Sequence, residues 1–309
     1  MILSGSKMKI KYWFLLSRIP FLSVMIAPYI LGALLASRFF GIFSWAVFLT
    51  GLFGCLLVQL IAHYNGEVYD LAEDRLSVTL EKNFFTGGSG VLVENLIGPK
   101  KVKSLIRLTI ALAIISGLIL QFYFKTGKWT LLLGISGIIC AYFYSKPPWR
   151  LVSRGIGEIL IAYAFGWLAV NVGFYLQASR FNMLATWVCL PIACSVANII
   201  LINEYPDYPA DRQVFKQNIL VRIGKAKGAV LYTGLVACGV ATFSLALAKG
   251  LPDQAAVFYF PVLIISLSLA YQMLRGAYDD RQKLKNLCAL TILVNLGTSL
   301  SCILGLLFD

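Results

Sequence analysis

Apolar residues along this chain come in nine long runs separated by short polar stretches, at about 19–37, 42–63, 104–123, 129–145, 156–178, 183–203, 229–248, 256–274 and 287–307. Each run is roughly 17–23 residues, which at 1.5 Å rise per residue matches a hydrocarbon core of about 30 Å. Lipid offers no partner for a free backbone N–H or C=O, so the runs are expected to be helices rather than open sheet. Gly, Pro or polar residues blur the ends of the fourth and eighth. The pattern predicts an all-α, polytopic membrane protein of nine transmembrane helices, with residues 1–309 forming a single domain. Lys7, Lys9 and Lys11 precede the first run as in a signal peptide. That run is too long and lacks a small-x-small cleavage site, so it is read as the first span.

Composition agrees: at 59% hydrophobic and 13% charged, the chain does not suit a soluble domain. The net charge of +13 sorts by loop. Placing the N-terminus in the cytoplasm puts 22 of the 27 Lys and Arg on that side, and the C-terminus falls outside. Arg38, Lys125, Lys128, Arg180 and Lys249 take the other side. The basicity thus reports topology and attraction to anionic lipid headgroups. No basic amphipathic helix or aromatic RNA-binding motif points to nucleic acid. Seven Cys without a C-x-x-C read as buried small hydrophobes. His63 reads as a helix-end packing residue rather than a metal ligand.

The acidic residues are distributed differently. Seven of the fourteen Asp and Glu fall in two segments, Asn65–Asp74 and Asn203–Asp211, each at the cytoplasmic end of an apolar run. Each opens a long inside loop, about 64–103 and 204–228, and long loops in compact domains are commonly functional caps. Carboxylates beside hydrocarbon are costly and mark function by default. If the helices continue, Glu67, Asp70 and Asp74 share one face at i, i+3 and i+7. Asn203, Asp207 and Asp211 share another at i, i+4 and i+8, with Pro206 and Pro209 kinking or restarting that helix. Two such faces can converge on Mg²⁺, which typically carries a phosphate. The alternative is a pair of solvated helix ends balanced by Arg75, Arg212 and Lys216. Arg18, the run Phe85–Gly90 as a backbone anion nest, and Lys146 after Tyr144 and Ser145 can complete an anion site.

These residues resemble the UbiA superfamily of intramembrane prenyltransferases over nearly the whole length. Its second motif, N-E-x-x-D-x-x-x-D, is matched by Asn203, Glu204, Asp207 and Asp211, and Lys216–Gly224 is similar to the sequence that follows it. Arg18–Leu22, Thr86–Ser89 and Gly157–Glu158 look most like the dihydroxynaphthoate (menaquinone) branch. The first motif departs: Gly66 stands where the family has Asn, Glu67 where it has Asp, and Asn65 lies one residue early. The resemblance implies a helical bundle around a central cavity near the cytoplasmic leaflet, capped by the two loops. It implies Mg²⁺ held by Glu67, Asp70, Asp74, Asn203, Asp207 and Asp211. Arg18, Lys82, Lys146, Lys216 and Arg222 would face the diphosphate of a polyprenyl donor. Tyr144, with Tyr69, Tyr205 or Tyr208, would stabilise the allylic cation before an aromatic, quinone-precursor-like acceptor attacks. Asp70, Asp74, Asp207, Asp211 and Tyr144 are the expected catalytic set. A terpene cyclase on the same scaffold is the alternative. A cation-coupled transporter and a non-catalytic scaffold fit less well, since the carboxylates lie at one interface rather than at midplane in paired repeats.

Overall fold

In the computed structural model, residues 2–80 and 88–309 are described, with side chains at 10–77 and 88–309. Every regular element among them is helical. In chain order they are α1 (Ile2–Ser17), α2 (Ser23–Phe40), α3 (Trp45–Tyr69), α4 (Leu71–Leu80), α5 (Pro99–Leu118) and α6 (Thr130–Phe143). These are followed by α7 (Gly157–Ala162), α8 (Ala169–Ala178), α9 (Met183–Gln213), α10 (Ile219–Ile223), α11 (Lys225–Ala248), α12 (Gln254–Leu274) and α13 (Arg281–Leu307). A π-turn, Tyr163–Leu168, joins α7 to α8 into one span, and Ile119–Tyr123 extends α5 in the same way.

Eight helical stretches among the described residues are long and apolar enough to cross a bilayer. The one expected run left over, the fourth at 129–145, is the shorter α6. The first run also differs in detail. Its helix is interrupted at Arg18, which is left-handed at φ 48°, and re-forms through a single turn, Ile19–Leu22, that contains Pro20. Pro20 has no N–H to bond back to the preceding turn and its ring crowds that turn's carbonyl, which favours a break just before it.

Close backbone approach holds the bundle together where α2 crosses α8. A Cβ on Gly32 would run into the Val170 carbonyl, and one on Gly173 into that of Tyr29. Small residues of this kind let membrane helices pack without a hydrophobic drive between them. On the other side, α9 packs against α11 and α13 through buried Val196, Ile199, Ile202, Tyr232 and Leu287. Leu108, Ile115, Ile135, Val257 and Ile264 point outward, as expected of a lipid-facing surface.

Two helices overrun their expected ends, and both overruns carry acidic segments. The 64–103 and 204–228 segments are therefore not loops from their first residue: α3 continues to Tyr69 and α9 to Gln213. At 31 residues, α9 is about 46 Å long, well beyond a hydrocarbon core. It also neither stops nor restarts at Pro206 and Pro209. Pro206 has no N–H for the Ile202 carbonyl, and that carbonyl instead lies 3.8 Å from the Cys288 thiol on α13. The first segment behaves in the opposite way. Its helix ends with Asp70 as C-cap, and α4 begins at once on a new axis, so Glu67 and Asp74 do not share a helix.

Candidate functional site

Despite that break, both acidic segments line one pocket. Glu67, Asp70, Glu73 and Asp74 form one wall; Asn203, Glu204, Asp207 and Asp211 form the other, with Arg18, Lys216 and Tyr144 between them. Asn65 lies elsewhere on α3, buried, so Glu67 and not Asn65 is the pocket residue at the divergent motif. Gln59, Ala62, Tyr144, Ile161 and Phe165 line this pocket and also a second, almost wholly apolar cavity deeper in the bundle. The two cavities therefore meet at Tyr144.

Each carboxylate has a defined partner. Asp70 Oδ2 accepts from Ser145 Oγ at 2.8 Å and Oδ1 from Arg150 Nη2 at 3.0 Å, while Arg150 also pairs with Glu73. Glu67 accepts from the Ser89 amide at 2.5 Å and its hydroxyl at 2.8 Å. The Gly88 amide donates to Asp74. At these two residues the glycine run thus binds the chain's own carboxylates rather than an external anion. Across the pocket, Lys216 Nζ and Asn218 Nδ2 bond the two oxygens of Asp211 at 3.2 and 2.7 Å. Ser77 on α4 donates to Asp207 Oδ1 at 3.3 Å, linking the two walls.

Burial pushes the Asp74 carboxyl up to about 8, with Glu67, Asp70 and Asp207 adding repulsion. Asp70 is also raised by burial, against the pull of Lys216, Ser145 and Arg150. Burial works against the Lys216 ammonium, but Asp211, Asp70 and Asp207 outweigh it and hold it above its ordinary value. A pocket in which carboxylates raise one another is short of positive charge, and all its acidic donors are hard oxygens. Asn203 Oδ1 adds a buried acceptor with no partner among the described residues. That donor chemistry fits Mg²⁺. Among the described residues no three His, Cys, Asp or Glu side chains form a ready metal cage. Mg²⁺ does not need one, since it is commonly bound by one or two carboxylates, water and substrate phosphate.

Several expected residues are placed differently. Lys82, Thr86 and Gly87 lie outside the described residues. Lys146 is turned out of the pocket onto the Tyr142 ring, 4.0 Å from its centroid, because its neighbour Ser145 takes the inward position. Arg222 is exposed and donates to the Gln217 carbonyl at 2.8 Å. It sits in the last turn of α10, whose first amides are held by Glu158 and Glu204 at 2.9 and 3.2 Å. Neither Lys146 nor Arg222 lines the pocket. Tyr69, Tyr205 and Tyr208 are also absent from its lining, and Tyr205 packs on Tyr278 at 5.0 Å. His63 lines the pocket, its Nδ1 2.9 Å from the Ser17 carbonyl. All seven cysteines are free.

Sequence reasoning missed Arg150, Ser77 and Asn218 as partners of the acidic residues. Asn218 sits seven residues after Asp211, a local spacing that could have revealed it. Arg150 and Ser77 reach their partners across the fold, and no spacing announces them.

Comparison with known proteins places this arrangement. The chain is similar to the 1,4-dihydroxy-2-naphthoate octaprenyltransferase of Bacillus subtilis, 24% identical over 87% of this chain and 83% of the relative. It is also similar to the 2-carboxy-1,4-naphthoquinone phytyltransferase of Synechocystis, 26% identical over 93% and 89%. In fold it resembles a UbiA homolog from Archaeoglobus fulgidus bound to GPP and Mg²⁺, with a TM-score of 0.66, 17% identity and coverage of 94% and 99%. The UbiA homolog from Aeropyrum pernix gives a TM-score of 0.68 at 17% identity, over 93% and 97%. The UbiA prenyltransferase family model matches residues 25–295, and this multi-pass membrane protein belongs to that family.

Proposed function

We propose that the chain transfers a prenyl group from a polyprenyl diphosphate to an aromatic, quinone-precursor-like acceptor, using Mg²⁺. The observation that carries this reading is the junction of a carboxylate-lined polar pocket with an apolar cavity at Tyr144. A prenyl diphosphate has the same division, a polyanionic head on a hydrocarbon tail. The naphthoate and naphthoquinone prenyltransferases named above support the acceptor class.

Asp70, Asp74, Asp207 and Asp211, with Glu67 and Asn203, would hold the metal. When bound, Mg²⁺ supplies Lewis-acid neutralisation of the diphosphate. Lys216 and Arg18 offset its remaining charge as the allylic C–O bond breaks, which is electrostatic stabilisation of a leaving group. The Tyr144 ring stands where head and tail meet, and its face can stabilise the allylic cation. The apolar cavity excludes water, so the cation is captured by the acceptor ring rather than as an alcohol. The ring then gives up a proton to the departing diphosphate, which restores its aromaticity. The whole of 1–309 acts as one domain, embedded in lipid with the acidic pocket on the cytoplasmic side, where 22 of 27 cations fall.

The test is turnover of a prenyl diphosphate with a dihydroxynaphthoate acceptor by purified protein. Asp70→Ala and Asp207→Ala are expected to abolish it while the protein still inserts. Substantial Mg²⁺-supported activity in either variant would overturn the reading. A cyclised hydrocarbon made without acceptor would favour a cyclase instead.

A further inference from the structure

Asp70 occupies an unusual position for a residue on which a metal site depends. It is the C-cap of α3, at φ −100° and ψ 11°, so no continuing helix fixes its side chain. Gly66, one turn earlier, contributes no side chain either. A Cβ at position 66 would stand 3.7 Å from Asp70 Oδ2 and 3.8 Å from Ser145 Oγ, with ordinary contact distances. Ser145 therefore reaches Asp70 through space that a side chain at 66 would share.

The other Asp70 oxygen is taken by Arg150, which also grips Glu73 and so bridges the break between α3 and α4. Arg150 does not line the pocket, whereas Asp70, Glu73 and Ser145 do. Its guanidinium thus approaches from behind the carboxylates. The segment carrying both residues is itself closed by two backbone bonds, Val152 N–H to Tyr144 C=O at 2.9 Å and Arg150 N–H to Lys146 C=O at 3.0 Å. An ionised carboxylate has about four acceptor positions, and these two bonds use only two of them.

We infer that Ser145 and Arg150 are positioning residues that orient Asp70 toward a divalent cation, a support that Gly66 does not supply from α3. This rests on the reading above that Asp70 is a metal ligand. Partners behind a ligating carboxylate typically contribute about 10–100-fold in metal affinity. Simple electrostatics predicts the reverse, because deleting a positive charge beside a cation site should tighten it. The direction of the change therefore separates the two.

The experiment is Mn²⁺ binding to the detergent-purified full chain, followed by electron paramagnetic resonance. Arg150→Gln is expected to weaken binding about tenfold, and Ser145→Ala by a few-fold. Arg154→Gln, which removes the same charge from a residue that donates to the Pro148 carbonyl and to no carboxylate among the described residues, is expected not to weaken it. Gly66→Asn in the Ser145→Ala background is expected to recover part of the lost affinity. If Arg150→Gln binds Mn²⁺ as tightly as wild type or more tightly, or Arg154→Gln weakens it equally, the inference is wrong. Should Arg150→Gln fail to fold, Ser145→Ala carries the test, and unchanged affinity there overturns it. Wild-type binding that survives Asp70→Ala undiminished would sink the metal-ligand reading itself. Loss in Asp70→Ala with no change in Arg150→Gln would sink the positioning role alone.

Discussion

The two acidic segments reach the same pocket by opposite routes. The second stays on one unbroken helix, α9, and Asp211 takes its partners from the next few residues, Lys216 and Asn218. The first breaks at Asp70, and its carboxylates are held from far along the chain by Ser145, Arg150 and Ser89. The support of Asp211 is encoded locally; that of Asp70 exists only when the fold is complete. Damage to the second wall should therefore act on charge, and damage to the first on geometry.

The largest effect that would sharpen this contrast is expected at Lys216. Lys216→Met removes the buried ammonium between Asp211 and Asp70, leaving carboxylates without their counter-charge. Turnover is expected to fall on the order of 10²–10³-fold, the range seen when one electrostatic stabiliser is removed. Steady-state kinetics on prenyl diphosphate checks it, and a loss under tenfold would place Lys216 off the reaction.

Next is pH. Asp74 ionises at about 8 in the folded protein against 3.8 for the ordinary group. The folded state therefore binds a proton that the unfolded chain has already released, and stability must fall as pH rises between those values. With divalent cations chelated, the melting temperature is expected to decline from pH 5 to 8 and then level. Asp74→Asn should flatten that slope. An unchanged slope in the variant would show that the strain lies in other groups.

Asn218→Ala should cost less, because Asp211 keeps Lys216. It removes a buried hydrogen bond to a charged group and also the cap that accepts from the Val221 amide at 2.8 Å. A stability loss of about 2–3 kcal/mol is expected, read as a lower melting temperature. The smallest effect is expected for Ser77→Ala, which cuts the 3.3 Å bond between the walls. A two- to fivefold rise in KM with kcat unchanged would mark that bond as ground-state positioning. A larger loss than for Lys216→Met would invert the comparison.

The same contrast explains what the sequence reveals. Hydrophobic run length was enough to locate the spans, because lipid leaves a helix as the only outlet for backbone polarity. At the second acidic segment the spacing implies one helix face, and α9 carries that face on to Gln213. Pro206 misleads because the Ile202 carbonyl that it leaves without a helical donor finds Cys288, 86 residues away, and no local rule foresees that contact. At the first segment the residue types pointed to the pocket, but the helix break at Asp70 did not show in the spacing. Charge and motif point Lys146 and Arg222 toward the pocket, but the turn after α6 and the end of α10 direct them elsewhere.

The overhang of α9 has a consequence for traffic through the membrane. Its last turns carry the acidic side chains clear of the oil, while Val196, Ile199 and Ile200 one to three turns below give the same pocket an apolar floor. An amphiphile bound there keeps its ionic head among the acidic side chains and its tail against apolar ones, the same order it has in a leaflet. No gate need lift an ion through hydrocarbon, and the lengthened product, stripped of its charge, has every reason to drift back into the lipid it came from.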